Sequence, residues 1–125
     1  MNIKKFYRYN ISKINNLTQS VRDNTFQADI DVMSTLRPGD GIVLANCNDN
    51  SKKGEVTFIG VVVGEIDNET QSLPVVWFEK SFELSPNGAG YQFWRKDFFK
   101  FADAPAKRYK LQNYFDLFDL NGYLK

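Results

Sequence analysis

Apolar and polar positions change their period along the first third of the chain. Residues 4–11 place Phe, Tyr and Ile between polar neighbours with a period of two, which is typical of a half-buried strand. Residues 13–24 are rich in Asn, Ser, Thr and Gln, so we expect a loop or a weak helical turn there. A short amphipathic helix is then predicted from Phe26 to the Arg-Pro-Gly-Asp turn at 37–40. Its apolar face would comprise Phe26, Ile30, Met33 and either Val32 or Leu36.

Three β-branched or aromatic runs follow that turn. They cover residues 42–45, 56–63 and 74–78, and Gly, Asn, Asp and Pro bound them. The polar segments 46–54 and 67–72 predict hairpin loops, so we expect the three strands to form a meander.

Gly60 and Gly64 are expected to lie inside the longest of the three strands. Glycine weakens a strand unless a bulge, strong coiling or a close backbone approach is needed. A phosphate-binding loop would instead place its glycines at a strand-to-helix turn, usually before a Lys. The position of the glycines therefore favours a structural role in a curled, barrel-like sheet.

The last third of the chain is rich in aromatic residues. Residues 91–101 combine six rings with four charges and predict another strand or a strand and turn. Residues 106–120 carry apolar side chains at helical spacing opposite a basic face, which predicts a helix packed on the domain. The predicted fold is α+β, with a curled mixed β-barrel of about five or six strands flanked by short helices.

Composition limits the function. A length of 125 residues suits one domain spanning residues 1–125, which is either a stand-alone protein or a module of a longer one. The 16 basic residues nearly balance 15 acidic ones, so no global field would hold duplex DNA. Aromatic residues make up 15% of the chain, which leaves rings available for stacking. We therefore expect any nucleic-acid binding to be local and groove-like.

Several chemistries are disfavoured by the residues present. The chain has no histidine, so a zinc enzyme or a catalytic triad is not expected, and we predict neither a metal nor another cofactor. The one cysteine, Cys47, is interpreted as a reduced packing residue. The first residues lack the apolar core of a signal peptide, and no apolar run approaches the ~20 residues of a membrane span. We expect a cytoplasmic protein without a membrane partner.

An amide-rich turn supplies the first candidate site. Arg22 offers a planar cation for a phosphate or for stacking, whereas Asn24 and Gln27 present donor and acceptor pairs that match a base edge. Asn24 or Asp23 would also suit the N-cap of a helix beginning near Phe26. Helix capping explains one residue of this turn and does not explain why Arg22, Asn24 and Gln27 occur together.

The two tryptophans supply candidate aromatic walls. Core packing is the commoner role of a single Trp. Trp77 is the preferred site residue because it neighbours Phe78 near the end of a predicted strand, and Trp94 with Arg95 forms a second candidate surface. Stacking on such a ring contributes on the order of 1–3 kcal/mol per base.

The predicted pocket lies between the turn at 22–27 and the strand ends near Asn46 and Trp77. In this hypothesis Phe26 and Trp77 form its walls, and Arg22 meets the backbone phosphate. The base edge is met by three amides, Asn24, Gln27 and Asn46. The nucleic-acid strand on either side of the base would be held by four cations, Lys52, Lys53, Arg95 and Lys96.

These segments resemble the EVE domain of the PUA-like superfamily, which also includes ASCH and YTH domains. The resemblance spans residues 6–101 and is carried by Val21-Arg22, Asn24, Phe26-Gln27-Ala28, the turn at 37–40, residues 42–46, Ile59-Gly60 through Val63, and residues 74–78. Two departures are clear. Asn46-Cys47-Asn48 replaces the Tyr-His-Ser usual in the family, and Phe6-Tyr7-Arg8-Tyr9 replaces its Trp-rich first strand.

The resemblance implies a PUA-like barrel and a non-enzymatic reader of modified bases. Such domains recognise a modified base in DNA or RNA, often by flipping it into an aromatic cage. Some serve as specificity modules of modification-dependent restriction or defence systems. The implied partners are therefore modified DNA or RNA and a fused or associated nuclease or ATPase subunit.

Two other functions stay open. Residues 91–101 would suit the contact face of a protein-interaction module, such as an anti-restriction or phage factor. A small hydrolase or nuclease of the ASCH type would need Lys or Glu as its base, for instance Glu79.

Overall fold

The computed structural model describes residues 2–86 and 88–118 as an α+β domain. Its strands are β1 (Phe6–Asn10), β2 (Thr25–Phe26), β3 (Gly41–Asn48), β4 (Lys53–Val62), β5 (Leu73–Leu84) and β6 (Phe98–Lys100). Its α-helices are α1 (Leu17–Asp23), α2 (Ile30–Thr35), α3 (Gly88–Trp94), α4 (Asp103–Arg108) and α5 (Leu111–Phe115). A 3-10 helix covers Ile11–Lys13.

The strands form one curled mixed sheet in the order β2-β5-β4-β3-β1-β6. β1 runs parallel to β3, and the other neighbours pair in antiparallel fashion. The register shifts between Leu44 and Ala45 in β3 and between Val56 and Phe58 in β4. Such bulges bend and twist a strand, which is how this sheet curls. The predicted meander of β3, β4 and β5 and the predicted curled sheet with short helices are confirmed.

The two faces of the sheet bury two separate cores. Along β3, Ile42 and Leu44 belong to one core, while Val43 and Ala45 belong to the other, as the strand period of two requires. The first core lies beneath α1 and α2 and includes Tyr7, Tyr9, Phe26, Met33, Leu36, Leu73, Val75 and Trp77. The second lies beneath α3 and α5 and includes Val56, Ile59, Tyr91, Trp94, Phe99, Phe101, Leu111 and Phe115.

A regular helix occupies most of the segment predicted to be a loop or a weak helical turn. The side chain of Asn16 accepts a hydrogen bond from the Gln19 backbone N–H and so caps the N-terminus of α1. Leu17 and Val21, one helical turn apart, pack against the first core. This apolar pair stabilises a helix that the polarity of the segment concealed.

The prediction that a helix begins near Phe26 is wrong. Phe26 pairs with Leu73 across β2 and β5, and α2 begins only at Ile30. The Phe26 ring is fully buried and lies edge-on to the rings of Tyr9 and Trp77. Packing of this ring therefore places the residue in a strand, although its spacing from Ile30 suits a helix.

The turn at 37–40 is present and anchors two other segments. The Asp40 carboxylate accepts a hydrogen bond from the Arg37 backbone N–H at 2.9 Å. Gly39 adopts a positive φ of 94°, donates to Val62 and accepts from Lys4. The turn thus joins the chain before β1 to the end of β4.

The meander strands are longer than the apolar runs that predicted them. β3 continues through Asn48 and β4 begins at Lys53, so the hairpin loop contains residues 49–52. Gly64 lies beyond the end of β4, which corrects its expected place inside the strand. Gly60 lies within β4 opposite Trp77, where a Cβ would approach Trp77 Cε3 to 2.5 Å. Its close backbone approach to an indole explains this glycine.

The C-terminal third differs in type from its prediction. Residues 91–101 form the end of α3 and then β6, because Tyr91 and Trp94 lie one turn apart on a buried helical face. The helix predicted over 106–120 is two short helices, α4 and α5, separated at Lys110, whose φ is 55°. Residues 119 and 120 of that prediction lie outside the described residues.

Candidate binding clefts

The first cleft, here called the amide cleft, lies between α1 and the segment leading into β5. It has a volume of about 640 Å³. Carboxamides line it at Asn15, Asn16, Gln19, Asn24 and Gln27. Carboxylates line it at Asp23, Glu65 and Asp67, and its apolar contacts include Ile14 and Pro74. Its lining contains two of the predicted site residues, Asn24 and Gln27.

Asn24 is the residue that joins α1 to the sheet. It ends α1 in the left-handed conformation, with φ 54° and ψ 51°, and its backbone N–H donates to Ser20. Its backbone carbonyl accepts from the Val75 N–H at 3.0 Å, and its Oδ1 lies 3.4 Å from the Trp77 backbone nitrogen. Its capping role is therefore at the end of α1, which corrects the expected N-cap of the following helix. The described residues give no hydrogen-bond partner for its Nδ2.

The opposite wall of the amide cleft is a tight turn. Asp67 pairs with Ser72 through backbone hydrogen bonds, and its Oδ1 accepts from the Glu69 backbone N–H at 2.9 Å. The hydroxyls of Thr70 and Ser72 lie 2.6 Å apart. Gln27 Nε2 donates to the Thr70 carbonyl at 3.2 Å and so connects the two walls. Both walls are held by hydrogen bonds within the protein.

The rings expected to form the walls are buried in the first core and are absent from the lining of this cleft. Phe26 is 0% and Trp77 6% exposed, and Trp77 Nε1 donates to the Thr25 carbonyl at 2.8 Å. Their packing in the first core offers no ring face to a base. The expected pair of aromatic walls is thus corrected. Arg22 lies outside the lining and reaches the cleft through Asp23, whose Oδ1 is 3.4 Å from Arg22 Nε.

The second cleft, here called the arginine cleft, brings together the remaining three predicted site residues. It has a volume of about 800 Å³. Its lining includes Asn46, Trp94 and Arg95 together with Arg8, Asn10, Cys47, Asp49, Lys52 and Tyr91. Asn46 therefore belongs to a different cleft from Asn24 and Gln27, contrary to the single pocket expected. Trp94 is buried, with 3% of its surface exposed, so its ring serves mainly as the floor.

Arg8 is a functional candidate that the sequence argument missed. Its side chain is buried, with 1% exposure, and its guanidinium lies 5.0 Å from the centre of the Trp94 ring. It donates to Ala45 O from Nε at 3.2 Å and from Nη2 at 2.8 Å. Its Nη1 donates to Trp94 O at 3.1 Å and to Lys96 O at 2.8 Å. Burial lowers the pKa of Arg8, while nearby Cys47 and Asp97 act in the opposite direction.

The alternation of side-chain direction along β1 could have identified Arg8 from the sequence. Tyr7 and Tyr9 face one core, so Arg8 must face the other side of the sheet. β1 lies between β3 and β6 and has no free edge, so a side chain on either face is covered. A cation at such a position signals either a structural network or a site.

The rim of the arginine cleft is formed by the hairpin between β3 and β4 and by α3. Tyr91 donates its hydroxyl hydrogen to Asp49, and this hydrogen bond raises the pKa of Tyr91. Lys52 Nζ and the Arg95 guanidinium each lie 5.9 Å from the centre of the Tyr91 ring. Of the other flanking cations, Lys53 pairs with Glu83 at 3.7 Å. The rim thus gathers two cations around one aromatic ring.

A smaller depression of about 480 Å³ adjoins the amide cleft. It shares Asn15 and Gln27 with the amide cleft and also contains Lys13 and Asp97. Asp97 accepts from Asn10 Nδ2 at 3.0 Å, and Asn10 lines the arginine cleft. One hydrogen bond thus links a lining residue of this depression to a lining residue of the arginine cleft.

The other candidate residues lie elsewhere. Within 91–101, Phe93 is 53% exposed, whereas Tyr91, Trp94, Phe99 and Phe101 are buried, so most of the proposed contact face belongs to the core. Glu79 lies exposed on β5, outside the lining of both clefts. Among residues 2–86 and 88–118, no group of three or more His, Cys, Asp or Glu side chains is arranged to hold a metal ion. No helix in these ranges is long and apolar enough to span a membrane.

Comparison of the chain with protein-family models, with curated proteins and with solved structures gives no match.

Proposed function

We propose that this protein is a non-enzymatic nucleic-acid-binding domain that takes an unstacked nucleobase into the amide cleft. The observation that carries the proposal is the convergence of five carboxamides, from α1, from the residues on either side of it and from the residue after β2, on one concave surface. Each carboxamide has a donor and an acceptor in fixed geometry, which is what recognition of a base edge requires. The volume of about 640 Å³ is in the range of small-ligand sites.

The charges in the amide cleft suit a base better than a phosphate. Asp23, Glu65 and Asp67 are the charged residues of its lining, and no Lys or Arg is among the lining residues. Carboxylates accept hydrogen bonds from exocyclic amino groups such as N4 of cytosine. They repel a phosphate, which would therefore lie outside the cleft. Arg22, with 70% of its side chain exposed beside Asp23, is available at the rim for the backbone.

The resemblance to EVE domains supports the finer part of the proposal, that the base is modified and that the domain guides a restriction or defence enzyme. Ile14 and Pro74 supply apolar contacts in the cleft that a methyl group on the base would fill. Because the lining lacks an aromatic ring, recognition would depend on base edges more than on stacking. This distinguishes the proposed site from the aromatic cage implied by the resemblance.

Binding of single-stranded oligonucleotides that contain 2-aminopurine tests the proposal. We expect a fluorescence change on binding, and we expect Asn15→Ala combined with Gln19→Ala to weaken binding at least tenfold. Both side chains line the cleft and are exposed, so their removal should leave the fold intact. Asn113→Ala is the matched control, because this exposed carboxamide lies outside the cleft.

If the Asn15→Ala, Gln19→Ala double variant binds like the wild type, as the Asn113→Ala control should, the amide cleft is refuted as the site. Parallel oligonucleotides with and without a methylated base test the finer claim. Preference for the modified base should disappear in Ile14→Ala if the apolar contacts read the methyl group. Equal affinity of the wild type for both oligonucleotides would contradict that claim and leave base binding itself in place.

A further inference from the structure

We propose that the arginine cleft is a binding site for a phosphate group, held by the buried guanidinium of Arg8 and by Lys52 and Arg95 at the rim. This inference rests on the geometry around Arg8 and does not depend on base binding in the amide cleft. It assigns the second cleft a ligand of different charge from that proposed for the first.

The charge of the buried Arg8 guanidinium is not neutralised by a direct ion pair. Removing a cation from water carries a large free-energy cost, which proteins usually offset with a carboxylate partner. No carboxylate of residues 2–86 or 88–118 forms an ion pair with Arg8. Its acceptors are neutral backbone carbonyls at Ala45, Trp94 and Lys96. A bound anion would supply the missing negative charge.

One N–H group of Arg8 has no acceptor among the described residues. A guanidinium has five N–H groups, and four of those of Arg8 donate to backbone carbonyls. The fifth, on Nη2, has no acceptor among the described residues, and Arg8 lines the cleft. The hydrogen bonds of the other four fix the orientation of the guanidinium. The donor is therefore preorganised for a ligand oxygen.

The hydrogen bonds of Arg8 support the fold, while its guanidinium keeps a net charge and one N–H group without an acceptor among the described residues. The acceptors are the carbonyls of Trp94 at the end of α3, of Lys96 just beyond it, and of Ala45 beside the register shift between β3 and β4. A carboxamide has only two N–H groups, so an amide side chain could not serve all three carbonyls, and the arginine therefore has a structural role as well. Arginine is the side chain best suited to bind a phosphate, because its planar donors match the phosphate oxygens.

The other lining residues of the arginine cleft add to the positive electrostatic potential near Arg8. Three cations, at Arg8, Lys52 and Arg95, line the cleft against one carboxylate, Asp49. The Asp49 carboxylate already accepts the Tyr91 hydroxyl. The Asn46 carboxamide lies in the same lining and offers a further donor. The cleft is therefore locally basic in a chain whose formal net charge is only +1.

The cleft is large enough to hold part of the molecule to which the phosphate is attached. Its volume of about 800 Å³ exceeds the needs of a single tetrahedral anion. The phosphate therefore comes either from a nucleotide or from a nucleic-acid strand. Inorganic phosphate, AMP and a single-stranded oligonucleotide with or without a 5′-phosphate distinguish these sources experimentally.

The chain carries its own probe for this site. Cys47 is the single cysteine, and its half-buried thiol lines the arginine cleft. The rate at which a thiol reagent such as DTNB modifies Cys47 should fall when the cleft is occupied. We expect inorganic phosphate and AMP to slow this reaction severalfold at constant ionic strength, with chloride as the reference anion.

Substitutions of the cleft cations test the assignment, and those at the rim leave the buried contacts of Arg8 in place. Lys52→Ala combined with Arg95→Ala should abolish the protection by phosphate and weaken AMP binding at least tenfold by calorimetry. Lys53→Ala is the matched control, because Lys53 is a neighbouring cation outside the lining. Arg8→Lys keeps a cation but loses the forked donors, and it should lose protection while thermal unfolding remains cooperative.

The outcomes separate this site from the proposed function. Protection that persists in Asn15→Ala with Gln19→Ala and disappears in the rim double variant supports an independent phosphate site. Equal rates of Cys47 modification with phosphate and with chloride would overturn the proposal, as would full protection in the rim double variant. Loss of base binding with retained phosphate protection would refute only the amide cleft.

Discussion

The guanidinium carbon of Arg8 lies 5.0 Å from the centre of the Trp94 ring, and Arg8 Nη1 donates to the backbone carbonyl of Trp94. The pair joins β1 to the end of α3 across 86 positions of sequence. It combines a cation–π contact with a hydrogen bond to a helix terminus. The second core and the arginine cleft therefore depend on the same contact.

Replacement of Arg8 should reveal how much this contact stabilises the fold. Arg8→Ala leaves the carbonyls of Ala45, Trp94 and Lys96 without these donors, and each lost partner of a buried group costs about 1–3 kcal/mol. We expect the free energy of unfolding in urea to fall by roughly 3 kcal/mol or more. Arg95→Ala, an exposed cation of the same cleft, serves as control and should change it by less than about 0.5 kcal/mol. Equal stabilities of the two variants would contradict this account of Arg8.

Gly54 should tolerate no side chain, because Trp94 fills the space beside it. A Cβ at Gly54 would overlap the six-membered ring of Trp94. We expect Gly54→Ala to lower the free energy of unfolding by about 1–3 kcal/mol. A double-mutant cycle with Trp94→Phe checks the cause, since the smaller ring should recover part of the loss. Strict additivity of the two substitutions would show that the clash is not the source.

Asn24 should be replaceable by glycine more readily than by alanine. Its left-handed conformation, with φ 54°, costs roughly 1–2 kcal/mol for a residue with a Cβ, and Asn accepts it better than Ala. Asn24→Ala should therefore destabilise by about 1–2 kcal/mol in thermal or urea unfolding, and Asn24→Gly by less. The reverse order would contradict a backbone cost at this position, because both variants lack the Asn24 carboxamide and differ only in the Cβ.

Thr57 offers a stabilising substitution. Its Oγ1 is buried within the described part of the chain without a hydrogen-bond partner, next to the register shift in β4. Thr57→Val keeps the shape and removes the unpaired hydroxyl, so the free energy of unfolding should rise by about 1 kcal/mol. Thr70→Val is the contrasting variant, because the Thr70 hydroxyl is paired with that of Ser72, and it should not stabilise. A destabilised Thr57→Val protein would contradict the unpaired state of this hydroxyl.

Alkaline pH should weaken the fold through three tyrosines. Burial raises the pKa of Tyr7 and Tyr9, and the hydrogen bond to Asp49 raises that of Tyr91. Their contribution is fully present below the unfolded pKa of about 10, because both states then hold the protons. Above it the unfolded chain binds fewer protons, so stability is lost as pH rises toward the folded values.

The measurement for this prediction is the urea midpoint at a series of pH values. We expect the midpoint to fall above about pH 10, with a shallower decline in Tyr91→Phe. A midpoint that stays constant well above the ordinary tyrosine pKa would show that these groups titrate alike in both states.

The sequence predicted the central strands correctly, because a strand covered on both faces is a continuous run of apolar residues. The runs at 42–45, 56–63 and 74–78 became β3, β4 and β5 because β-branched residues pack on both sides of the pleat. Helical positions were harder to recognise. α1 depends on two apolar residues among polar ones, and Phe26 pairs with Leu73 from a distant segment. Tertiary pairing of this kind cannot be read from local spacing.

The sequence predicted only some of the positions in the candidate clefts, again because tertiary packing decides where the other residues lie. The amides at Asn24 and Gln27 do line one cleft, since their positions depend on one local turn. Asn46 lies in another cleft because the length of β3 carries it away. The large rings of Phe26 and Trp77 were drawn into the core, where burial of their apolar surface is most favourable.

The central claim, that a nucleobase occupies the amide cleft, is tested most directly by the NMR signals of the cleft carboxamides. Side-chain N–H₂ signals of Asn15, Gln19 and Gln27 should shift when a single-stranded oligonucleotide is added, while that of Asn113 stays in place. Shifts confined to backbone signals of the arginine cleft, or no shift at saturating oligonucleotide, would contradict the claim.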